Sequence, residues 1–374
     1  MKKKVLIFLS IISSLSFSND YSSEYEKYKE NRLEMYSSYK KEIERRFNNY
    51  KNNISEQWKE IEVPDNYKWV EYNNNYKEKT VVDYKDENIR IEVIVPKKSS
   101  QKENEKKILK NMEKIMEQHV KNASKKNPYL KENEVINSSE LIVGDIYKIQ
   151  NSDKVNNEKI KNILKDANLK KKSAKNSGEE VIEVTIPFPK DGILVKAKKY
   201  KEDVNKRAVE YKVDKSLIYA IIHSESGYNP MARSAVPAYG LMQIVPTSAG
   251  KAITERLYGK ARILSPEYLY NGSKNIEAGT NYINFLYYYY FDKVKDPVSR
   301  KYCTIAAYNT GAGNVAKAFT GKTKIRPAVE IINKMSSKEV YYKLLKSLPY
   351  DETKGYLKKV STRDRYYKTK SGEI

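Results

Sequence analysis

The sequence is poor in the side chains that form disulfides and bind transition metals. Among its 374 residues there is one cysteine, Cys303, and there are two histidines, His119 and His223. A single cysteine excludes an intrachain disulfide and any metal cluster built from several thiolates. Because no second histidine or acidic cluster accompanies His119, we interpret it as a packed core residue. The composition therefore gives no support for a metalloenzyme.

Long apolar runs are confined to the start of the chain. Three lysines at 2–4 precede an apolar stretch over 5–15, and Ser16-Phe17-Ser18 is a small-x-small cleavage pattern. This order is typical of a secretory signal peptide over residues 1–18, with cleavage before Asn19. The stretch is shorter than the ~20 residues of a membrane-spanning helix, and no later window is apolar enough. We expect export to the periplasm or cell envelope, without lipoprotein anchoring, because the signal region lacks a cysteine.

Acidic residues are too few to balance the basic ones. The 71 lysines and arginines exceed the 48 aspartates and glutamates, which gives a formal net charge of +23. Such a charge favours a polyanionic partner, namely nucleic acid, an acidic membrane surface or an anionic cell-wall polymer. The alternative is that the scattered lysines reflect a compositional bias and serve solubility. Because of export we expect no nucleic-acid partner, while peripheral membrane association and the oligomeric state stay open.

The first half of the chain predicts a small α+β domain over residues 19–190. In Ile89–Val95 apolar and polar residues alternate, as in a strand with one buried face. Pro187 and Pro189 mark a boundary near residue 190. The predicted elements are helices over 20–60, 102–121 and 155–167, a hairpin of strands over 81–84 and 89–95, and a strand over 181–188. His119 falls on the apolar stripe of the second helix, and a lysine-rich stretch through Gly178 follows the third.

Residues 191–374 predict a compact all-α domain, because helical spacing dominates from Ile193 onward. Asp214 suits the N-cap of the second helix, and Asn271 or Ser273 that of the fourth. The predicted helices cover 194–212, 215–226, 247–255, 273–291, 298–309, 326–334, 337–347 and 350–360. The fold class is therefore an α+β N-terminal domain followed by an all-α domain.

One acidic residue continues the apolar stripe of the second of these helices. Ile218, Ile221 and Glu225 stand at i, i+3 and i+7, the spacing of one helix face. Burial and the negative end of the helix dipole would both raise the pKa of this carboxyl, as a general acid of glycosidic cleavage requires. The alternative is a glutamate that turns to solvent at a frayed helix end. We interpret His223 as a surface or flanking residue, because positions i and i+2 do not face each other.

The segments that follow Glu225 match a known pattern in order and spacing. They are Glu225-Ser226, Asn229-Pro230, Ser234, Gly240-Leu241-Met242-Gln243, Asn275-Ile276 with Gly279 and Tyr282-Ile283, Ala307-Tyr308-Asn309 with Gly311 and Gly313, and Glu352-Thr353 with Tyr356 and Val360. With these motifs the sequence resembles the lytic murein transglycosylases, bacterial enzymes with a goose-type-lysozyme-like helical domain. The region before residue 190 resembles, more loosely, the extra domain of one membrane-bound branch. That branch is anchored through a cysteine in the signal region, where this sequence has none.

The resemblance implies an enzyme that acts on peptidoglycan glycan strands. It implies cleavage of the β-1,4 bond between N-acetylmuramic acid and N-acetylglucosamine, with formation of a 1,6-anhydro ring. Glu225 would serve alone, first as the acid and then as the base, and no cofactor would be required. By the same resemblance, Ser234 and Gln243 would bind the N-acetyl and nearby sugar groups, and Tyr308 would lie close to Glu225. Asn309 would order the loop or contact the sugar, and Glu352 would tie the C-terminal segment to the site.

Each of these assignments has an alternative. Ser234 could close a loop turn, Tyr308 could belong to the core, and Glu352 could form a surface ion pair. A lysozyme-type hydrolase would need a second carboxylate to position water. The third functional hypothesis is a non-catalytic cell-wall-binding protein.

We interpret the run Tyr287–Tyr290 mainly as packing and amphipathic surface, because consecutive residues point all round a helix. We interpret Cys303 as a small buried residue.

Overall fold

The computed structural model describes residues 37–38, 41–131, 134–149, 155, 157–235 and 237–374. The predicted signal peptide and the first part of the predicted helix over 20–60 lie outside these residues. Residues 41–57 are helical and form α1. Five antiparallel strands then form one sheet in the order β1-β2-β3-β5-β4. They are β1 (Lys68–Asn73), β2 (Glu78–Asp83), β3 (Asn88–Pro96), β4 (Asn168–Ser173) and β5 (Glu179–Pro187).

Alternate side chains of the strands cover the two faces of the sheet. Val82 and Ile91 point into a large core that the sheet shares with the helices. Val81 and Ile94 point the other way, into a smaller core closed by Trp58. The alternation that predicted a strand at 89–95 therefore has a structural cause, because successive side chains of the strand point into two different cores.

The predicted hairpin is confirmed, because β2 and β3 pair antiparallel with Val82 opposite Ile89. The strand predicted over 181–188 is confirmed as β5. Two strands were not predicted from the sequence. In β1 the buried Glu71 interrupts the apolar alternation. In β4 all six residues are exposed and three are lysines, as suits an edge strand that must not pair with another chain.

The helices between β3 and β5 are α2 (Gln101–Met116), α3 (Val120–Lys125) and α4 (Asn157–Leu164), with a 3₁₀ turn at Gly144–Tyr147. The helix predicted over 102–121 therefore ends early, and the placement of His119 on its stripe is wrong. His119 precedes α3 and its backbone bridges to Leu141. The chain leaves the helix because Gln118 and Val120 form backbone hydrogen bonds with the segment 140–142 instead, as in the 2.7 Å bond from Val120 N to Glu140 O. The side chain of His119 is half-buried.

From residue 192 onward helices dominate, and the predicted fold class is confirmed. The helices are α5 (Gly192–Lys199), α6 (Lys201–Tyr211), α7 (Lys215–Glu225), α8 (Ala249–Tyr258), α9 (Pro266–Tyr270), α10 (Gly272–Phe285), α11 (Pro297–Thr310), α12 (Ala312–Thr320), α13 (Ile325–Ile332), α14 (Ser337–Ser347) and α15 (Asp351–Thr369). A π-helical turn, Leu286–Tyr290, extends α10. The larger core is continuous between sheet and helices, since Ile89 and Ile218 both belong to it. The domain division at residue 190 stays a prediction.

The predicted helices differ from the structure in several places. The helix predicted over 194–212 breaks at Tyr200, whose buried side chain donates a hydrogen bond to Glu140. The short helices α9 and α12 were not predicted, and α15 runs to Thr369. At the N-caps, Asn271 accepts a hydrogen bond from Lys274 N at 3.0 Å, whereas Asp214 occupies its N-cap without a side-chain bond. Within the described residues every helix is too short or too polar to cross a membrane.

Candidate active site

Helix α7 places Glu225 at its last position, at the edge of the helical core. Ile218, Ile221 and Ile222 have no solvent exposure, so the predicted apolar stripe is confirmed. The Glu225 side chain ends this stripe and is only partly exposed to solvent. Helix α15 packs along α7, and α11 packs on α15. The carboxyl therefore lies where three helices meet.

Burial raises the pKa of the Glu225 carboxyl to about 7. The Tyr356 hydroxyl and the Lys359 ammonium act against this rise in pKa, and the charge of Glu352 adds to it. Near neutral pH the neutral acid and the carboxylate of Glu225 are therefore both populated. Such a carboxyl can donate a proton and later accept one.

Tyr356 is a site residue that the sequence motif contained but to which we had assigned no role. Its hydroxyl is buried and makes no hydrogen bond of ordinary geometry within the described residues, yet it interacts with the Glu225 carboxyl. Burial raises the pKa of this phenol, and the charge of Glu225 raises it further, so the hydroxyl keeps its proton. Glu352, Tyr356 and Lys359 stand at i, i+4 and i+7 on α15. That spacing is the sequence signal for the face that α15 turns toward Glu225.

The carbonyl groups at the end of α7 are bound by groups from elsewhere in the chain. Asn66 Nδ2 donates to the Glu225 carbonyl at 2.8 Å, and the Tyr67 hydroxyl donates to the Ser224 carbonyl. Lys359 Nζ donates to the same Ser224 carbonyl at 3.1 Å. These donors partly neutralise the negative end of the helix. Burial is the largest cause of the raised pKa of Glu225.

His223, interpreted as a surface or flanking residue, is half-buried and flanks Glu225 without lying on the surface. Its Nδ1 lies 3.0 Å from the Tyr367 hydroxyl, and its ring lies 5.8 Å from that of Tyr228. Burial lowers the pKa of the imidazole to about 3, helped by the nearby charges of Arg363 and Lys359. The ring is therefore neutral at physiological pH. The imidazole is partly buried because it packs in a cluster of aromatic rings. Its i+2 spacing from Glu225 could not show this, because the rings come from distant parts of the chain.

The segment Gly240–Gln243 is held between α7 and α11. Ser226 Oγ, next to Glu225, donates to the Leu241 carbonyl at 2.8 Å. Tyr308 of α11 donates to the Met242 carbonyl, also at 2.8 Å. Gln243 has a positive φ of 48°, and its Nε2 donates to the Gly240 carbonyl at 2.9 Å. Its Oε1 is buried without a hydrogen-bond partner in the described part of the chain, which leaves an acceptor beside the site.

Asn275 supports this segment from α10 and was also not predicted as a site residue. Its Oδ1 accepts from Met242 N at 2.8 Å, while its Nδ2 donates to the carbonyls of Tyr239 and Leu269 at 2.9 and 2.7 Å. The side chain is fully buried. A buried amide with such bonds is costly to replace. Its role is to fix the backbone from which Gln243 projects.

Tyr308 lies close to Glu225, as the resemblance implies. Burial raises the pKa of its phenol, and the charge of Glu225 is the next cause. Its ring lies 5.5 Å from that of Tyr282. Tyr308 therefore packs against the core and also lies beside the Glu225 carboxyl. The two interpretations of this residue, as a core residue and as a neighbour of Glu225, are compatible.

Three other residues that were predicted to bind substrate, Ser234, Asn309 and Glu352, have different surroundings in the structure. Ser234 Oγ accepts a hydrogen bond from Ala238 N at 3.2 Å. This bond closes a loop turn, which is the alternative role considered for Ser234. Asn309 Oδ1 accepts from Thr353 Oγ1 at 2.7 Å, which links α11 to α15. Glu352 is exposed, but its charge acts on Glu225. The binding roles of Ser234, Gln243, Tyr308, Asn309 and Glu352 stay predictions.

A hydrolase would need a second carboxylate near Glu225, and three other glutamates of the helical region are engaged elsewhere or exposed. Glu277 forms an ion pair with Arg207 at 3.0 Å, and Glu255 and Glu267 are exposed. Glu352 is the carboxylate whose charge acts on Glu225. Among the residues that the structure describes, no group of three or more histidine, cysteine or acidic side chains could hold a metal ion.

Comparison with known proteins assigns the class of this region. Residues 202–328 match the family model described as Transglycosylase SLT domain. This part of the chain is therefore similar to transglycosylase SLT domains, the family that the motifs also indicate. The Glu352 segment lies beyond the matched residues.

Relatives of similar sequence carry one shared name. The membrane-bound lytic murein transglycosylase C of Haemophilus ducreyi is 40% identical over 191 residues, which are 51% of this chain and 51% of that protein. The protein of the same name from Actinobacillus succinogenes is 37% identical over 193 residues, 52% of this chain and 53% of its own length. The chain thus spans about half the length of the curated relatives it matches. Among solved structures, the 70 kDa soluble lytic transglycosylase of Escherichia coli is 27% identical with a TM-score of 0.35, covering 46% of this chain and 24% of that one.

Proposed function

We propose that the protein is a peptidoglycan lytic transglycosylase that uses Glu225 as its single acid–base residue. The observation that carries this proposal is a carboxyl with a pKa of about 7 at the end of α7, inside a region similar to transglycosylase SLT domains. A glutamate with an ordinary pKa would be ionised and could not protonate a leaving group at neutral pH. The names of the relatives support murein as the substrate.

In the proposed reaction, protonated Glu225 donates its proton to the glycosidic oxygen between N-acetylmuramic acid and N-acetylglucosamine. The bond between that oxygen and the anomeric carbon breaks. The carboxylate then accepts the proton of the muramic acid 6-hydroxyl as its oxygen attacks the anomeric carbon. The 1,6-anhydro ring closes, Glu225 is protonated again, and no water is consumed. One carboxyl suffices because the nucleophile belongs to the substrate.

The surroundings of Glu225 support the two halves of this cycle. The Tyr356 hydroxyl and the Lys359 ammonium favour the carboxylate, which limits the rise in pKa and lets the group give up its proton. Burial favours the neutral acid, which the first step needs. In this proposal Tyr308 orients the muramic acid next to the carboxyl. Gln243 and Ser234 bind N-acetyl and neighbouring sugar groups, with Asn309 and Glu352 at the edge of the site.

The test is the chemistry of the product. Purified peptidoglycan digested by the full chain should release muropeptides that end in 1,6-anhydromuramic acid, each lighter by one water than the hydrolysis product. Mass spectrometry before and after borohydride reduction separates the two, because an anhydro end cannot be reduced. Reducing ends from the wild-type enzyme would overturn the proposal in favour of a lysozyme-type hydrolase.

A matched variant ties the activity to Glu225. Glu225→Gln keeps the size of the side chain and removes the proton, so we expect turnover to fall by at least about a thousandfold. Binding to insoluble peptidoglycan, measured by co-sedimentation, should change less than about twofold. Substantial turnover in this variant would remove Glu225 from the role.

We also propose the cell envelope as the place of action. The substrate is a polymer of the bacterial wall, and the relatives are named membrane-bound. The predicted signal peptide over 1–18 agrees with export. Glycan strands are the partner that the proposed reaction requires.

A further inference from the structure

A short segment from the sheet region reaches the candidate catalytic residue. Residues Asp65-Asn66-Tyr67, which we call the strap, precede β1 and lie against the end of α7. Asn66 Nδ2 donates to the carbonyl of Glu225 itself at 2.8 Å. The Tyr67 hydroxyl donates to the Ser224 carbonyl. Both are among the last four carbonyls of a helix, which no residue of the same helix can bond.

The strap is itself held rigidly by the sheet. Asp65 Oδ1 accepts from the backbone N–H groups of Tyr67 and Lys68, both at 2.7 Å. Asp65 N donates in return to the Lys68 carbonyl at 3.1 Å. Lys68 is the first residue of β1 and pairs with Asp83 of β2. The position of the strap is therefore set by the sheet.

Helix α15 and the loop after Glu225 close on the strap from two sides. Lys359 Nζ donates to the Tyr67 hydroxyl at 3.0 Å and lies 5.4 Å from the centre of its ring. Gly227 has a φ of +60°, and a Cβ there would lie 2.9 Å from Tyr84 Cβ and 3.3 Å from Tyr67 Cδ1. The chain thus turns directly against the sheet two residues after Glu225. This close approach needs a glycine.

We propose that the strap is a positioning device for the catalytic glutamate, in which Asn66 and Tyr67 hold the last turn of α7. The inference rests on the proposed function of Glu225. The end of a helix frays when its carbonyl groups lack partners, and the side chain on the last residue moves with it. A displacement of about 1 Å at a reacting group can cost roughly a hundredfold in rate. The sheet region therefore contributes to catalysis without touching the glycosidic bond.

The groups that face the Glu225 carboxyl come from two helices. Tyr356, Lys359 and Glu352 face it from α15, and Tyr308 faces it from α11. If the last turn of α7 loosens, the carboxyl gains water and the effect of burial on its pKa weakens. Loss of a donor also leaves the negative end of α7 less neutralised, which by itself would raise the pKa of Glu225. Burial is the largest cause of the raised pKa, so we expect its loss to dominate and the pKa to fall. The protonated form needed for the first step is then lost at a lower pH. A residue that only stabilised the fold would not shift this pH limb.

The experiment uses the full chain with Asn66→Ala and Tyr67→Phe, measured by release of anhydromuropeptides. We expect kcat to fall about tenfold in each variant with KM changed less than about twofold, and the alkaline limb of kcat to move to lower pH. Tyr72→Phe is the matched control. Its hydroxyl also leaves the same sheet, donating to the Glu62 carbonyl at 3.0 Å, away from α7. That variant should keep the wild-type kcat and pH profile.

A second measurement does not depend on activity. An NMR titration of ¹³C-labelled glutamate carboxyls, with the Glu225 signal assigned by its loss in Glu225→Gln, reports the pKa of this group directly. A lower pKa of Glu225 in both strap variants, and an unchanged one in Tyr72→Phe, supports the proposal even if the wild type releases no anhydro product. An unchanged pKa and kcat in the strap variants would overturn it, as would equal losses in Tyr72→Phe that follow thermal stability.

Discussion

At the scale of single residues, the properties of Glu225 depend on charges that α15 supplies. Lys359 favours the carboxylate and Glu352 favours the neutral acid. Both lie on the helix face that also carries Tyr356. Since burial sets the main shift in pKa, these charges serve as a smaller adjustment around it. Because Glu352 is exposed, its charge can be removed by mutation without disturbing the core.

Replacement of Glu352 should lower the pKa of Glu225. The charge of Glu352 raises that pKa, so in Glu352→Gln the protonated fraction of Glu225 is lost at a lower pH as the pH increases. We expect kcat at pH 7 to fall by about two- to threefold, with little change at pH 5. A pH profile of anhydromuropeptide release measures the shift. Salt should reduce it, because the group is exposed.

The same variant distinguishes the two reaction types. In a hydrolase, a second carboxylate must activate water, and Glu352 is the described carboxylate whose charge acts on Glu225. Loss of all activity in Glu352→Gln would therefore contradict the single-carboxyl mechanism.

At the scale of elements, the segment Gly240–Gln243 depends on a close approach of backbone to backbone. Gly240 has a φ of +75°, and a Cβ there would lie 2.1 Å from the Leu269 carbonyl oxygen and 2.4 Å from Asn275 Nδ2. Neither neighbour can move without loss of the hydrogen bonds that Asn275 makes to this segment. The glycine in the motif is therefore required by packing as well as by its φ.

Gly240→Ala should destabilise the protein by about 3 kcal/mol or more, from backbone strain plus overpacking. Gly259→Ala is the matched control, since it has a φ of +66° but nothing within 4 Å of an added Cβ. We expect the control to cost only about 1 kcal/mol. Urea unfolding at equal m-values gives both numbers. Equal losses would mean that the close contact at Gly240 is relieved by small shifts.

The tyrosine run Tyr287–Tyr290 does not continue the α-helix that the sequence predicted over 273–291. It forms a π-helical turn with Leu286. Tyr287 lies under Arg300 with 5.0 Å between guanidinium and ring centre, while Tyr289 is 68% exposed. The run therefore combines packing at Tyr287 with exposed surface, as interpreted, and the surface is the larger part. Cys303 is buried, as interpreted, and burial raises the pKa of its thiol.

At the scale of the whole molecule, the net charge of +23 predicts attraction to an anionic polymer. Binding of Glu225→Gln to peptidoglycan sacculi should weaken about tenfold between about 50 and about 500 mM NaCl, because salt screens exposed charges. Co-sedimentation measures it without digestion of the polymer. Chitin, an uncharged glycan, is the control and should show no such dependence. Salt-independent binding to sacculi would favour compositional bias as the origin of the charge.

The sequence by itself determined the fold class, the helix that bears Glu225 and the motifs that surround it. These follow from local periodicity and from a pattern of residues, both of which are visible along the chain. The predicted strands at β3 and β5 were found for the same reason. By contrast, β4 has no buried face, so its period carried no signal.

Only the tertiary structure decided what surrounds the carboxyl. Asn66 lies 159 residues before Glu225 and donates to its carbonyl, a pairing that no local pattern encodes. The partial burial of His223 depends on Tyr367 of α15, and the bonds of Asn275 depend on the path of a loop. The pKa of Glu225 is likewise a property of three packed helices, because desolvation is set by neighbours in space and not in sequence.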